Sequence, residues 1–272
     1  MKTVLQDYLR RISFSETSFE PNIELLSQLI LDHTRTIPFE NLNPFLRIPV
    51  KLDIDSLTQK LIYDHRGGYC YEQNLLFMQM LKKIGFEVEP LVARVNISSS
   101  IINPRTHMLL IVSIADTQYL VDVGFGGITP TAPLDINVST AQDTPHNSYK
   151  IACESGNYQL LFLKDSEWHP IYIFDFQKQQ SVDFEISNWF TSTHPNSHFI
   201  NQLMVSRTDK SVRYNLRNNV LSFHFNNREV EQVTFTTSDE IRNVLKQKFG
   251  LKLGNLPGLD ERLSQLINSS QE

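Results

Sequence analysis

The chain has 272 residues, 40% of them hydrophobic and 20% charged, with a formal net charge of −5 and a pI of about 5.9. That is ordinary globular composition, and a chain of this length buries a core without disulfide staples. It argues against nucleic-acid binding, which needs a basic face, and against a polybasic contact with anionic membrane.

The first 85 residues read as helical. Leu5, Tyr8, Leu9 and Ile12 have helical spacing, as do Leu26, Leu29, Ile30 and His33 in a segment opened by Pro21 and closed before Pro38. A third helix is predicted from Cys70 to Ile84, with Leu76, Met80 and Ile84 on one face and Gly85 as its stop. The N-terminus turns polar at once, so no signal peptide is expected. Residues 86–190 read as strands. Candidates are Glu87–Val95, Met108–Ile114, Tyr119–Phe125, Tyr149–Ala152, Gln159–Leu163 and Trp168–Phe174, and so many short strands suggest a small barrel or sandwich. From residue 191 the pattern mixes. Val220–Phe225 and Val230–Phe235 flank the turn signal Asn226–Asn227, and Thr237 with Glu240 forms a capping box ahead of Ile241, Val244, Leu245 and Phe249. The last residues, Asn268–Glu272, are expected to fray. The longest apolar runs, such as Met108–Val112, fall far short of a membrane span. With two cysteines only, Cys70 and Cys153, the expected setting is a reducing cytoplasm.

Chemistry concentrates at Arg66-Gly67-Gly68-Tyr69-Cys70-Tyr71-Glu72-Gln73-Asn74. The two glycines suggest a tight turn, after which Cys70 opens a helix. A helix start offers free N–H groups and partial positive charge, which suit a thiolate and, later, an oxyanion. The plain alternative is a cysteine packed as a small hydrophobe. His107 stands at the mouth of one predicted strand and Asp122 inside the next. A carboxylate in an apolar strand is costly unless paired. An imidazole N–H is a suitable partner, and pairing turns the other ring nitrogen toward a thiol. With Asp116–Thr117 as the turn, Asp122 pairs with Ile111 and shares a face with His107, about 13 Å away on a flat ladder. On this reading a one-residue shift of the turn puts them on opposite faces. His33 reads as a packed core residue, and His65 as a residue lining the site. His146, His169, His194, His198 and His224 read as loop or surface residues. No Cys/His cluster has metal-ligand spacing, so no metal is expected. Gly124-Phe125-Gly126-Gly127 lacks the Lys-Ser/Thr end of a phosphate loop and reads as a turn that lets a ligand approach the backbone.

Together with Ile37-Pro38-Phe39-Glu40-Asn41-Leu42, Pro104-Arg105-Thr106-His107-Met108 and Val121-Asp122-Val123-Gly124-Phe125, the Cys70 segment resembles the arylamine N-acetyltransferase family. The resemblance is strongest over residues 1–130. It implies an α+β fold: an N-terminal helical bundle (1–85) carrying Cys70, a central β-barrel (86–190) carrying His107 and Asp122, and a C-terminal α/β lid (191–272). It further implies a Cys-His-Asp triad like that of cysteine proteases. The implied reaction is ping-pong transfer from acetyl-CoA, through acetyl-Cys70, to arylamines, arylhydrazines or N-hydroxyarylamines. Phe39 and Phe125 would line the acceptor slot, Gly126 would lie near the CoA tail, and a buried Arg66–Glu72 ion pair would brace the site. The same three residues also suit a transglutaminase-like or papain-like thiol hydrolase, or an amide synthase acting on a carrier-bound acyl chain. A non-catalytic binding module is the remaining alternative. Cys153 is expected to be a strand residue with no catalytic part.

Overall fold

Caps decide where the helices begin and end. The computed structural model describes residues 3–15, 19–96, 103–225, 229–254 and 256–269. Helix α1 (Val4–Arg11) starts where the Thr3 hydroxyl accepts from Gln6 N and the Gln6 side chain accepts from Thr3 N. Helix α2 (Ile23–Thr36) starts at Asn22, whose side chain accepts from Leu25 N, and stops before Pro38. Then come β1 (Phe39–Glu40), the short α3 (Leu42–Phe45), and α4 (Ile54–Thr58), which runs into a π-helical turn at Gln59–Tyr63. Helix α5 (Cys70–Ile84) has the predicted bounds and ends at Gly85, which adopts φ +113°. The apolar faces of α1, α2 and α5 close on Tyr8, Leu26, Leu29, Leu76, Phe77 and Leu81. Each fully buried aliphatic or aromatic side chain there is worth roughly 1.5–3 kcal/mol.

His33 is fully buried in this core, as its apolar helix face predicted. Its Nδ1 lies 2.8 Å from the Tyr8 hydroxyl and its Nε2 2.8 Å from Gln73 Oε1. Gln73 Oε1 can only accept, so Nε2 carries the proton and Tyr8 donates to Nδ1. Burial lowers the His33 pKa to about 4. The unfolded chain takes up this proton below about pH 6.5, whereas the folded chain holds the ring neutral until about pH 4. The resulting stability is therefore present at neutral pH and lost as pH falls between those values. At pH 5 the expected loss is on the order of 2 kcal/mol, read as a lower urea midpoint than at pH 7. A midpoint unchanged over that range would contradict this account.

The second region is one antiparallel sheet of β2 (Glu87–Val95), β3 (His107–Ile114), β4 (Thr117–Val121), β5 (Leu134–Asp135), β6 (Gln142–Asp143), β7 (Ser148–Glu154), β8 (Asn157–Lys164) and β9 (Glu167–Phe174). Its order is β5-β4-β3-β2-β9-β8-β7-β6. The Gln142 side chain joins the two edges, accepting from Asp135 N at 2.8 Å and donating to Asp135 O at 2.9 Å. The sheet is thereby a nearly closed barrel. Strand β3 is buried on both faces. Met108, Leu110 and Val112 pack on the helical core, while Leu109 and Ile111 fill the barrel. This double burial is why its sequence is an unbroken apolar run rather than an alternation.

The strand pattern stops at Phe174, short of the predicted residue 190. Helix α6 (Ser181–Thr193) follows, opened by the Asp183 carboxylate accepting from Gln180 N. After α7 (His198–Asn201) come β10 (Met204–Thr208), β11 (Val212–Arg217), β12 (Val220–Phe225) and β13 (Glu231–Thr234). They form a sheet of order β1-β10-β11-β12-β13. The N-terminal segment Phe39–Glu40 is thus stitched to the C-terminal sheet. Helices α8 (Ser238–Gln247) and α9 (Leu259–Ser269) cover it, α8 with the predicted Thr237–Glu240 capping box. The Asn226–Asn227 turn and residues 270–272 lie outside the described residues; Asn268 and Ser269, predicted to fray, complete α9. Among the described residues no helix is long and apolar enough to cross a membrane.

Candidate active site

Cys70 is the first residue of α5 and is 3% exposed. The glycines before it are required by close approach rather than by a left-handed turn, since neither has a positive φ. A Cβ on Gly67 would fall 1.9 Å from Pro38 O, and one on Gly68 2.7 Å from Glu72 Cβ. The segment is pressed against Pro38 and Phe39, with which Gly68 forms a bridge, and against the start of its own helix. Gly124 faces the same helix from the other side: a Cβ there would lie 2.7 Å from Cys70 Cα. The Cys70 sulfur lies 3.8 Å from Thr106 O.

His107 opens β3 opposite Ala93, and its Nε2 is 2.7 Å from Asp122 Oδ2. Two details differ from expectation. The hairpin turn is Ala115–Asp116, because Ile114 pairs with Thr117 and Leu110 with Val121. Asp122 lies one residue past the end of β4 rather than inside it. Shifting a two-residue turn by one position moves the pairing by two, so it preserves the face instead of inverting it. The same ladder extended by one pair would set Asp122 opposite Leu109, only two positions from His107. Leaving the ladder frees the carboxylate to close the remaining gap. Its Oδ1 accepts from Asn74 Nδ2 (3.1 Å) and Gly124 N (2.9 Å), and its Oδ2 also accepts from the Tyr172 hydroxyl (3.1 Å).

Four donors thus surround a carboxylate that is 1% exposed. Burial works against its charge, but His107 and the hydrogen bonds prevail and hold Asp122 below its usual pKa. Burial likewise opposes charge on His107, yet Asp122, with a further hydrogen bond to Cys70, raises its pKa to about 10. Nε2 is committed to Asp122, which leaves Nδ1 for the thiol. Ring packing holds the imidazole: the Phe125 ring meets it edge-on at 4.9 Å and the Tyr172 ring lies tilted against it at 4.9 Å.

Cys70 and His107 open into a cavity of about 360 Å³. Phe39, Phe125, Phe199 and Met204 supply apolar walls, and His198, Gln202 and Arg217 also line it. His198 is exposed, as expected, and also borders this cavity, whereas His146 is not a surface residue but is buried, bonded to Thr131 and to Asp209 O. His65 is not among the lining residues. Gly126 packs on the Phe39 ring, while the next residue, Gly127, lines the cavity. Among the described residues no group of three or more His, Cys, Asp or Glu is placed to hold a metal.

Residues 22–256 match the N-acetyltransferase family model. The chain is 37% identical over 273 residues to an arylamine N-acetyltransferase of Mycolicibacterium smegmatis, covering 97% of this chain and 98% of that protein. The chain belongs to the arylamine N-acetyltransferase family. Another relative, from Salmonella typhimurium, is an arylamine N-acetyltransferase / N-hydroxyarylamine O-acetyltransferase, 37% identical over 94% of this chain and 92% of its own length. Among solved structures, Mycobacterium marinum arylamine N-acetyltransferase in complex with CoA superposes with a TM-score of 0.91 at 34% identity, over 96% of this chain and 99% of that one.

The predicted Arg66–Glu72 pair does not form in this arylamine N-acetyltransferase family member. Arg66 pairs with Glu40, Nε at 2.9 Å and Nη2 at 2.7 Å from Oε1. Glu72 pairs with Lys60 at 2.6 Å, and Lys60 is also 3.9 Å from Glu40. The reason is position: Glu40 on β1 comes up beside Arg66, while Glu72 turns back to cap its own helix, accepting from Tyr69 N at 3.2 Å. Burial opposes charge on Glu40, but Arg66 and Lys60 keep its pKa low; burial raises that of Glu72 against the pull of Lys60. Arg66 and Glu72 line a separate polar cleft of about 240 Å³, outside the cavity at Cys70. Lys60, Asn74, Glu40 and Tyr172, which contact Arg66, Glu72 or Asp122, are not singled out by the sequence. Asn74 carried a usable signal, since it lies four positions from Cys70 and so on the same face of the helix.

Proposed function

We propose that the chain transfers an acetyl group from acetyl-CoA to an arylamine, arylhydrazine or N-hydroxyarylamine through acetyl-Cys70. The observation that carries this reading is His107, set between Cys70 and Asp122 at the wall of an aromatic-lined cavity. In the first half-reaction the Cys70 sulfur attacks the thioester carbonyl, a Cys70 thioester forms and the CoA–carbonyl bond breaks. CoA leaves as a thiol, taking the proton held by His107. In the second, the amine attacks acetyl-Cys70, its proton passes to the imidazole, and the amide departs while Cys70 is restored. Asp122 keeps the imidazole aimed and stabilises its charge. Free N–H groups at the start of α5 suit the oxyanion. Phe39 and Phe125 receive the aromatic acceptor, and Gly126 with Gly127 lets the CoA tail approach the backbone. Arg66 and Glu72 support the segment rather than react. A thioester is already activated, so the chemistry needs no metal, and an apolar slot that excludes water protects the intermediate.

The test is intact-protein mass after brief exposure to acetyl-CoA without acceptor. One added acetyl group that an anisidine discharges is the expected result. No adduct on a Cys70 that iodoacetamide still alkylates quickly would overturn it in favour of another acyl donor, as in a hydrolase or amide synthase.

A further inference from the structure

Arg213 on β11 is 3% exposed and has no ion-pair partner among the described residues. Its guanidinium reaches from the C-terminal sheet to the barrel. Nε donates to Asn147 Oδ1 (2.9 Å), and Nη2 donates to Thr129 O (2.8 Å) and the Tyr149 hydroxyl (3.1 Å). All three acceptors are uncharged. Nη1 has no partner; nor do Ser206 Oγ and Asn215 Oδ1, and all three residues line a small cavity of about 10 Å³. That space suits a single water.

A buried guanidinium without a counter-charge is expensive, because its desolvation is offset only by hydrogen bonds to neutral acceptors. What Arg213 holds accounts for its presence. Thr129 is the hub of the loop after β4: its hydroxyl donates to Asp122 O (2.6 Å) and accepts from Phe125 N (3.3 Å), and its N–H donates to Gly126 O (3.0 Å). Tyr149 donates to Ile128 O and Thr129 O at 3.0 and 3.2 Å. The Asp122 carboxylate is anchored separately, by Asn74, Gly124 and Tyr172. Arg213 therefore bears on the segment from Phe125 to Thr129 rather than on the charge at His107.

We propose that Arg213 is a positioning residue, which pins the Phe125–Thr129 segment from the C-terminal sheet and so keeps Phe125 and Gly127 in place as cavity walls. The inference rests on the acetyl-transfer reading. It is tested with Arg213→Met, Arg213→Lys and Tyr149→Phe, measuring melting temperature, iodoacetamide alkylation of Cys70 across pH, and kcat and KM for acetyl-CoA and an anisidine. Arg213→Met is expected to stay folded, with a modestly lowered melting temperature from the acceptors it leaves unpaired, and to alkylate with the wild-type rate and pH profile. Its kcat/KM should fall about 10- to 100-fold, mainly through KM, as misplaced walls would cause. Arg213→Lys should recover little, because an ammonium cannot reproduce the guanidinium fork. A folded Arg213→Met with kcat/KM within about twofold of wild type would overturn the proposal. So would a parallel loss of melting temperature, alkylation and transfer, which marks a packing role. If Arg213→Met does not fold, Tyr149→Phe decides, because it removes the hydroxyl through which Arg213 reaches Ile128 O and Thr129 O: raised KM with unchanged alkylation supports the clamp, and wild-type KM overturns it. A wild type that itself transfers nothing would strike at the acetyl-transfer reading, whereas a weak variant beside an active wild type concerns Arg213 alone.

Discussion

Cys70→Ala is expected to remove acetyl transfer, with a loss on the order of 10⁴-fold or more, and to take up no acetyl group from acetyl-CoA. On the proposed mechanism the reaction divides one difficult step into two, both through the sulfur; without it the amine would have to attack the donor thioester directly. The fold should survive. The sulfur's polar contacts are few, a long one of 3.8 Å to Thr106 O and the hydrogen bond with His107, and the first turn of α5 is capped by Glu72 rather than by Cys70. Cys153 is the control, being exposed on β7 and far in sequence from the site residues. Cys153→Ser should transfer at close to the wild-type rate. Transfer by Cys70→Ala above a few per cent of wild type, or a large loss in Cys153→Ser, would mean that the acyl carrier has been misassigned.

Asp122→Asn is expected to cost roughly 10³–10⁴-fold in kcat and also to destabilise the protein. Every group around the Asp122 carboxylate is a donor: His107 Nε2, the Tyr172 hydroxyl, Asn74 Nδ2 and Gly124 N. An amide accepts on one side only, so either rotamer turns its own N–H groups on two donors and leaves them unpaired in a buried site, at about 1–3 kcal/mol each. The charge that raises the His107 pKa is also removed. The sign of the pH effect follows. His107 gains stability from Asp122 that is fully present below about pH 6.5 and lost as pH rises through about 10. Asp122 contributes stability present above its unfolded pKa and lost as pH falls through its depressed folded value. The variant should therefore lose most at neutral pH. Melting temperature at pH 7 and at pH 4, with kcat normalised to folded protein, checks this. An Asp122→Asn variant with wild-type kcat and an unchanged melting temperature at pH 7 would exclude Asp122 as the group that aims His107.

The helices and most of the barrel strands were legible because their signals are local. Thr237 with Glu240, Gly85 after Ile84 and the alternating or continuous apolar runs act within a few residues of where they sit. Cys70, His107 and Asp122 were legible for a related reason. Their residue types suit nucleophilic chemistry at a helix start and beside an apolar run, and the flanking motifs resemble one family closely. The family comparisons agree with that resemblance over nearly the whole chain. Residues 175–193 were misread because a helix opened by Gln180 and Asp183 carries no strong apolar period.

By itself, then, the sequence determined the element types, the chemistry available and the family, since each depends on residue identity and spacing along the chain. Only the tertiary structure decided which charges meet. Glu40 and Glu72 stand 32 positions apart and share Lys60 within one buried cluster, while Arg66 pairs with Glu40; no spacing rule assigns those partners. The same holds for the two-residue step that brings Asp122 to His107, which depends on one turn and a strand that ends early. It holds also for Arg213, whose contacts to Thr129 and Tyr149 span 84 and 64 residues. Pairings across such separations are selected by packing of whole layers, and burial then makes each partner's geometry matter by kilocalories rather than tenths.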